Sequence, residues 1–356
     1  MDRPTLLPHL RPLWRDRTTL QLGTDPERAI IVEFTQPVSA RILGLLNGAR
    51  TERAIFTDAA ALGVPTAEVA AVLAALRQAG VLIDSRALLP PGVPQPRRGR
   101  LAAEATALAA RPDAGAASTP AHALRRRALS RVLVTGQARL AAPIAATLAA
   151  AGVGHVPTRV PGTVSGDDVV PGGLSVADVG RPAGEAVREV VTRVAPEVHV
   201  TPLRPDDLTL VVRAGSDATP AALVARAYAR RRLPHLAVAV RDGAVVVGPF
   251  VPPAGSPCLA CLDLHRLDRD PAWPTLAAQL ATAPPTGQAC AATTTLIGVG
   301  HAVAEILAYL DGGSPRTRGA TIEIDGAGGE RRRSWPPHPT CDCRRVRRSL
   351  PRTGKN

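Results

Sequence analysis

The chain predicts an α/β protein: a doubly wound, mostly parallel sheet with a metal-clasped C-terminus, preceded by a small winged-helix-like α+β module. Three observations predict it. From Arg131 onward, short apolar runs alternate with helical patterns, which builds a sheet covered on both faces. Four of the five cysteines stand in two close pairs, Cys258-Leu259-Ala260-Cys261 and Cys341-Asp342-Cys343. Within 1–84, two strand patterns, three helical stripes and a returning strand follow one another.

In the first module, residues 18–22 and 29–34 read as strands joined by a turn at Gly23-Thr24-Asp25-Pro26. Val38, Ile42, Leu45 and Leu46 mark a first helix that Gly48 ends. Thr51 is positioned to cap a second, carrying Ile55, Ala59 and Leu62, and Thr66 a third, with Val69, Val72, Leu73 and Leu76 on one stripe. Val81-Leu82-Ile83 returns as a short strand. Residues 85–128 then change character: Pro90, Pro91, Pro94 and Pro96 break regular structure, a short alanine-rich helix is expected near 101–110, and the stretch reads as a partly disordered linker.

The α/β pattern fills 129–347. Strands are expected at 132–134, 208–212, 236–240, 245–247 and 321–324, and helices at 140–151, 183–194, 220–231 and 291–310. Residues 348–356 read as a basic disordered tail. Each cysteine pair is too close to form a disulfide easily, but the two together offer the four thiolates that Zn²⁺ takes in a closed tetrahedral site. Cys258, Cys261, Cys341 and Cys343 are therefore expected to hold one structural zinc rather than to be unrelated thiols. Cys290 reads as core, His301 as a satisfied core histidine, and His265 as a packed residue that could join the metal if Cys343 fell short.

Composition narrows the function. The 356 residues are 45% hydrophobic, and no run of about eighteen apolar residues free of charge appears. Met1-Asp2-Arg3-Pro4 lacks a secretory pattern, and paired cysteines suit a reducing compartment, so a cytoplasmic protein without membrane contact is expected. The net charge of +13 raises nucleic acid as a partner. Every cation except Lys355 is arginine, and the runs at 125–127, 230–232, 331–333 and 344–348 lack interleaved aromatics, so they read as solvated basic surface.

The late C-x-x-C, the C-terminal cysteine pair, Gly180-Arg181-Pro182 and Val194-Ala195-Pro196-Glu197-Val198-His199-Val200 together resemble the ThiF and ubiquitin-activating family, over roughly 129–345. The segment from Cys258 to His265 and the tail Trp335-Pro336-Pro337-His338-Pro339-Thr340-Cys341 further resemble the actinobacterial ThiF-like partners of azoline-forming (TOMM) peptide cyclodehydratases. The resemblance implies a Rossmann-like, ThiF-type domain that uses ATP to adenylate the C-terminus of a peptide or small protein. It also implies an N-terminal RiPP recognition element for a leader peptide, a YcaO-type cyclodehydratase as partner, and a homodimer.

The family's nucleotide site is altered. Its glycine-rich turn is here Gly136-Gln137-Ala138-Arg139-Leu140-Ala141, with only the first glycine kept. Val160 and Gly162 stand where the family has aspartates, and Ala183 where it has a phosphate-binding lysine. Arg139 and Arg181 could supply charge, though a guanidinium fork is not an ammonium. Asp217 lies close to the family's metal-coordinating aspartate. Gly136, Arg139 and Asp217 are what is left of the site, and ATP·Mg²⁺ is doubtful. The expectation is thus a catalytically degenerate scaffold that binds a leader peptide and docks it to the partner enzyme. The alternative is an active ATP-dependent adenylyltransferase.

Overall fold

The computed structural model describes residues 2–111, 119–215, 221–253, 255, 257–282 and 290–343. The chain divides into two compact units, Met1–Arg125 and Arg126–Asn356.

The first unit is α+β. Strand β1 (Pro4–Leu6) is followed by β2 (Pro12–Trp14), β3 (Thr19–Leu22) and β4 (Ile30–Glu33), which form an antiparallel sheet in the order β2-β3-β4. Helices α1 (Arg41–Leu45), α2 (Glu52–Ala61) and α3 (Thr66–Gln78) come next, and β5 (Leu82–Asp84) returns antiparallel to β1. The apolar stripes of α1–α3 close on Leu20, Leu22 and Val32 in one core. Thr51 caps α2 as expected, its hydroxyl accepting from the Ala54 amide at 3.3 Å. Thr66 does not cap α3: the cap position is Pro65, and Glu68 in the first turn reaches back to accept from the Thr35 amide at 3.0 Å. β1 and β2 escape a sequence reading because each is three residues long and opens on proline, with too few positions to show alternation. Helices α4 (Ser85–Leu88) and α5 (Gln95–Ala109) follow, with α6 (Pro120–Leu129) after them. α5 starts about two turns before the expected helix because Pro96 sits in its first turn, where a missing amide costs nothing. Leu101, Ala105 and Leu108 bury against Ala123 and Leu124.

In the second unit, β6 (Val132–Gly136), α7 (Ala138–Ala150), β7 (Thr158–Arg159), α8 (Ala183–Val194), β8 (Leu210–Ala214), α9 (Ala221–Arg230), β9 (His235–Arg241) and β10 (Ala244–Val251) follow in turn. Then come α10 (Leu259–Leu267), α11 (Trp273–Thr282), α12 (Ala292–Leu310), β11 (Ala320–Ile324) and β12 (Glu330–Ser334). The seven strands run β12-β11-β10-β9-β8-β6-β7. Pairs among β7, β6, β8 and β9 are parallel, whereas β9–β10, β10–β11 and β11–β12 are antiparallel.

The expected mostly parallel sheet is therefore a mixed one. Its cause is local: Asp242 (φ 52°) and Gly243 (φ 79°) form a two-residue loop that pairs Arg241 with Ala244, and such Asp-Gly turns with both residues left-handed match the twist of a hairpin. A parallel crossover would need a helix in that place.

One face of the sheet carries α7, α8 and α12, whose alanines, valines and leucines form the largest core. Gly298 lets α12 approach β10 closely, since a Cβ there would lie 2.3 Å from Val245 Cγ1. At 19 residues α12 is long and apolar enough to cross a bilayer, but 56% of it is buried inside the unit. It also carries Glu305, whose carboxylate accepts from the Arg316 and Thr317 amides at 3.1 and 2.6 Å. It is built as a core helix.

Candidate functional site

The metal site forms where α10 begins. Cys258 is the N-cap of that helix and Cys261 lies in its first turn, where the helix dipole favours thiolate. The tail brings in the other pair. Sγ atoms lie 4.0 Å apart for Cys258–Cys261, 3.7 Å for Cys258–Cys341 and 3.4 Å for Cys261–Cys343. Four sulfurs at about 2.3 Å from one tetrahedral ion sit about 3.8 Å from each other, so the cluster is able to chelate a metal. The thiols themselves ask for a cation. Burial pushes Cys341 up to about 12, and hydrogen bonds to Cys261 and Cys343 push Cys258 up as well; only a bound dication lets several thiolates share so small a volume.

His265 stays out of this cluster, its Nε2 donating to the Pro336 carbonyl at 2.8 Å. His338 bonds Asp268 at 2.8 Å, and Trp335 Nε1 donates to Thr321 Oγ1 at 3.0 Å. These three bonds fasten the same tail segment that delivers Cys341 and Cys343.

A second candidate site lies at the C-terminal ends of β6 and β8, where the strand order reverses, the position at which α/β folds bind ligands. Gly136 (φ 122°) ends β6, and a Cβ there would stand 2.0 Å from the Ala214 carbonyl oxygen, so no other residue fits. Gly215 (φ 96°) ends β8 with the Gln137 side chain against it. α7 starts immediately after Gln137, so its unpaired N-terminal amides lie next to this turn, where such helix ends bind anions.

Arg139 is tied down rather than free. It donates to the Cys290 carbonyl at 2.6 Å and to the Asp167 carbonyl, and its amide donates to Asp168 Oδ1 at 3.1 Å. Asp168 also accepts from the Ser165 amide and hydroxyl, so this carboxylate joins the loop at 165–168 to the first turn of α7. Ser165-x-x-Asp168 has the spacing of a capping box, and the box is formed. Arg181 is engaged too, held between Asp178 (3.0 Å) and Glu189 (2.9 and 2.5 Å), which raise its pKa further, Glu189 foremost. Cys290 is buried, 3.1 Å from Thr295 Oγ1. Asp217 lies outside the described residues.

A mixed sheet of this order with a four-cysteine clasp defines a class, and a family model agrees. Residues 115–345 match the ThiF family, and the chain belongs to it. No curated protein matches the chain by sequence. Among solved structures the fold is similar to E. coli MccB with ATP (TM-score 0.65, 14% identity, 96% of this chain and 99% of that one). It is likewise similar to E. coli MccB with AMPCPP and MccA (0.64, 14%, 96% and 99%) and to PaaA (0.66, 15%, 92% and 99%).

These likenesses correct three linked expectations: the degenerate scaffold, the leaning away from an enzyme, and the doubt over ATP·Mg²⁺. They rested on lost side chains, namely the missing lysine and the aspartates replaced by Val160 and Gly162. A fold shared along nearly the whole chain has been solved with ATP and with AMPCPP and MccA together. The physical reason is that a phosphate can be held by backbone amides at a helix N-terminus, and side-chain substitution leaves those in place.

Proposed function

We propose that the chain is an ATP-dependent adenylyltransferase of the ThiF family acting on a carboxylate of a peptide or small protein. The observation that carries this is the close-packed Gly136 turn leading into the N-terminus of α7, within a fold like that of MccB solved with ATP. In the reaction a carboxylate oxygen attacks the α-phosphorus of ATP, an acyl–O–P bond forms, the bond from the α-phosphorus to the bridging oxygen breaks, and pyrophosphate leaves.

The chain's own groups divide the work. Gly136 lets the backbone come close to the phosphates. Arg139 acts as a positioning residue, fixing the loops at 167–168 and 290 on either side of α7. Asp168 and Asp217 are the carboxylates that would hold Mg²⁺, which would supply positive charge to the triphosphate. Zinc on Cys258, Cys261, Cys341 and Cys343 has a structural task, holding the tail to α10.

The first unit supplies peptide recognition in this reading, as a winged-helix-like element. β2 and β4 are the edges of its three-stranded sheet, with Trp14 and Ile31 exposed, and an extended peptide can add to such an edge by main-chain hydrogen bonds. A leader peptide of a precursor, a YcaO-type partner and a homodimer complete what the family resemblance implies. Pyrophosphate exchange tests the reading. Exchange into ATP is expected with a pool of peptides bearing free C-terminal carboxylates and not with the same pool amidated; equal rates for both pools, or none, would refute it.

A further inference from the structure

Helix α10 meets the tail at both of its ends. The four thiols join them at its N-terminus, and at the other end His265 and Asp268 meet His338 of the tail. These three side chains each offer one ligand atom, and the atoms lie within 4.8 Å of one another. The i, i+3 spacing puts His265 and Asp268 on one face of the helix. Asp268 is the C-cap of α10, where the helix dipole is negative and a cation is favoured.

The hydrogen bond from His338 to Asp268 at 2.8 Å would fasten the tail by itself. Three features go beyond it. His265 adds a second imidazole, edge-on to the ring of His338 with centroids 4.8 Å apart and planes at 76°. Its Nε2 donates to the Pro336 carbonyl, so Nδ1 keeps a lone pair, which has no partner among the described residues. A carbonyl on the other ring nitrogen is how ligating histidines are commonly set.

His338 is 5% exposed, and the Thr340 hydroxyl stands 2.9 Å from its Nδ1, able to accept a proton there and free Nε2 for an ion. The Thr340 amide, at 3.3 Å, is the longer contact. Asp268, finally, takes no arginine partner among the described residues, although every cation but Lys355 is arginine. Arg266 goes to Asp263 and the ring of Trp273, and Arg269 to the ring of Trp335.

We propose that His265, Asp268 and His338 form a second metal site, which takes one Zn²⁺ through two imidazole nitrogens and a carboxylate oxygen. Zinc bonds of about 2.0–2.2 Å set tetrahedral ligand atoms about 3.3 Å apart, so small rotations of the exposed Asp268 and the half-buried His265 close the site on the buried His338. With three protein ligands and an open position, this site holds zinc less firmly than four thiolates do. Its ion leaves on desalting while the thiolate ion stays. The site needs no nucleotide and does not depend on adenylation.

The test is calorimetric titration of Zn²⁺ into the full chain, desalted until elemental analysis finds the thiolate ion alone. One further ion per chain is expected. Asp268→Asn keeps an oxygen to accept from His338, so the tail stays fastened and the thiolate ion is retained, and it is expected to weaken the added ion at least tenfold. His265→Gln is expected to do the same. His301→Gln, which removes the histidine paired with Glu330 on α12, leaves the added ion unchanged. Co²⁺ added in place of Zn²⁺ is expected to give visible bands without the near-ultraviolet charge transfer that sulfur ligands bring. No further ion, undiminished binding in Asp268→Asn and His265→Gln, equal loss in His301→Gln, or a thiolate charge-transfer band on the added cobalt would overturn the proposal.

Discussion

Replacing Arg127 by leucine would strand a carboxylate inside the second unit. Arg127 is 1% exposed and its partner Asp311 5%. Its Nε and Nη2 donate to the two carboxylate oxygens at 2.8 and 2.9 Å, and Nη1 donates to the Ala151 carbonyl at 3.0 Å. Asp311 is the C-cap of α12, where the helix dipole is already negative, so losing the guanidinium removes two charge-assisted hydrogen bonds from a poorly placed buried charge. Removing one partner of such a buried pair costs about 3–5 kcal/mol, a large part of the ~5–15 kcal/mol that holds a domain folded.

Urea unfolding followed by tryptophan fluorescence in a Trp14→Phe background measures it, since Trp273 and Trp335 then report on the second unit alone. The double variant Arg127→Leu/Asp311→Leu buries no charge and should recover most of the loss, to within about 2 kcal/mol of the parent. A single-variant cost below about 1 kcal/mol, or a double variant no better than the single, would refute the reasoning.

Other outcomes follow from the same contacts. Cys261→Ser should lower bound zinc, measured by elemental analysis, from about one ion per chain to well below half, and lower the melting temperature of the second unit; full occupancy would contradict the four-thiol site. His235 is pushed down to about 4, by burial first and then by the charge of Arg213, while the Leu233 carbonyl opposes the shift. The unfolded chain therefore takes up a proton that the folded one refuses between about pH 6.5 and 4. Stability is full above pH 6.5 and falls by about 3 kcal/mol as the pH drops to 4, and His235→Phe should flatten that slope in denaturant titrations at several pH values. Gly298→Ala puts a methyl 2.3 Å from Val245 Cγ1 and should cost about 1–3 kcal/mol. Val245→Ala should restore part of it if the clash is the cause.

What the sequence disclosed was whatever depends on near neighbours. α8 is expected and found at 183–194, because its apolar positions repeat within the helix itself. The four cysteines were legible because thiolate chemistry at short spacing leaves few alternatives. The reading faltered where distance in sequence hides the partner. Arg127 sat in a run read as solvated surface, but Asp311, 184 residues away, buries it. Glu305 is satisfied in the same way, by backbone amides of a later loop that its own helix gives no sign of. Asp242-Gly243 was a turn signal in plain view; read as a hairpin, it would have predicted the antiparallel half of the sheet. The nucleotide site failed differently. Missing side chains were given more weight than the main chain, although Gly136 and the start of α7 present backbone amides whatever side chains follow.

Titration of the full chain with ATP·Mg²⁺ in a calorimeter tests the central claim most directly, since it needs no peptide. The account expects saturable heat with one site per chain, weakened when Ala138, at the first turn of α7, is changed to Asp. An absence of heat at millimolar ATP, from protein shown to be folded and zinc-loaded, would contradict it.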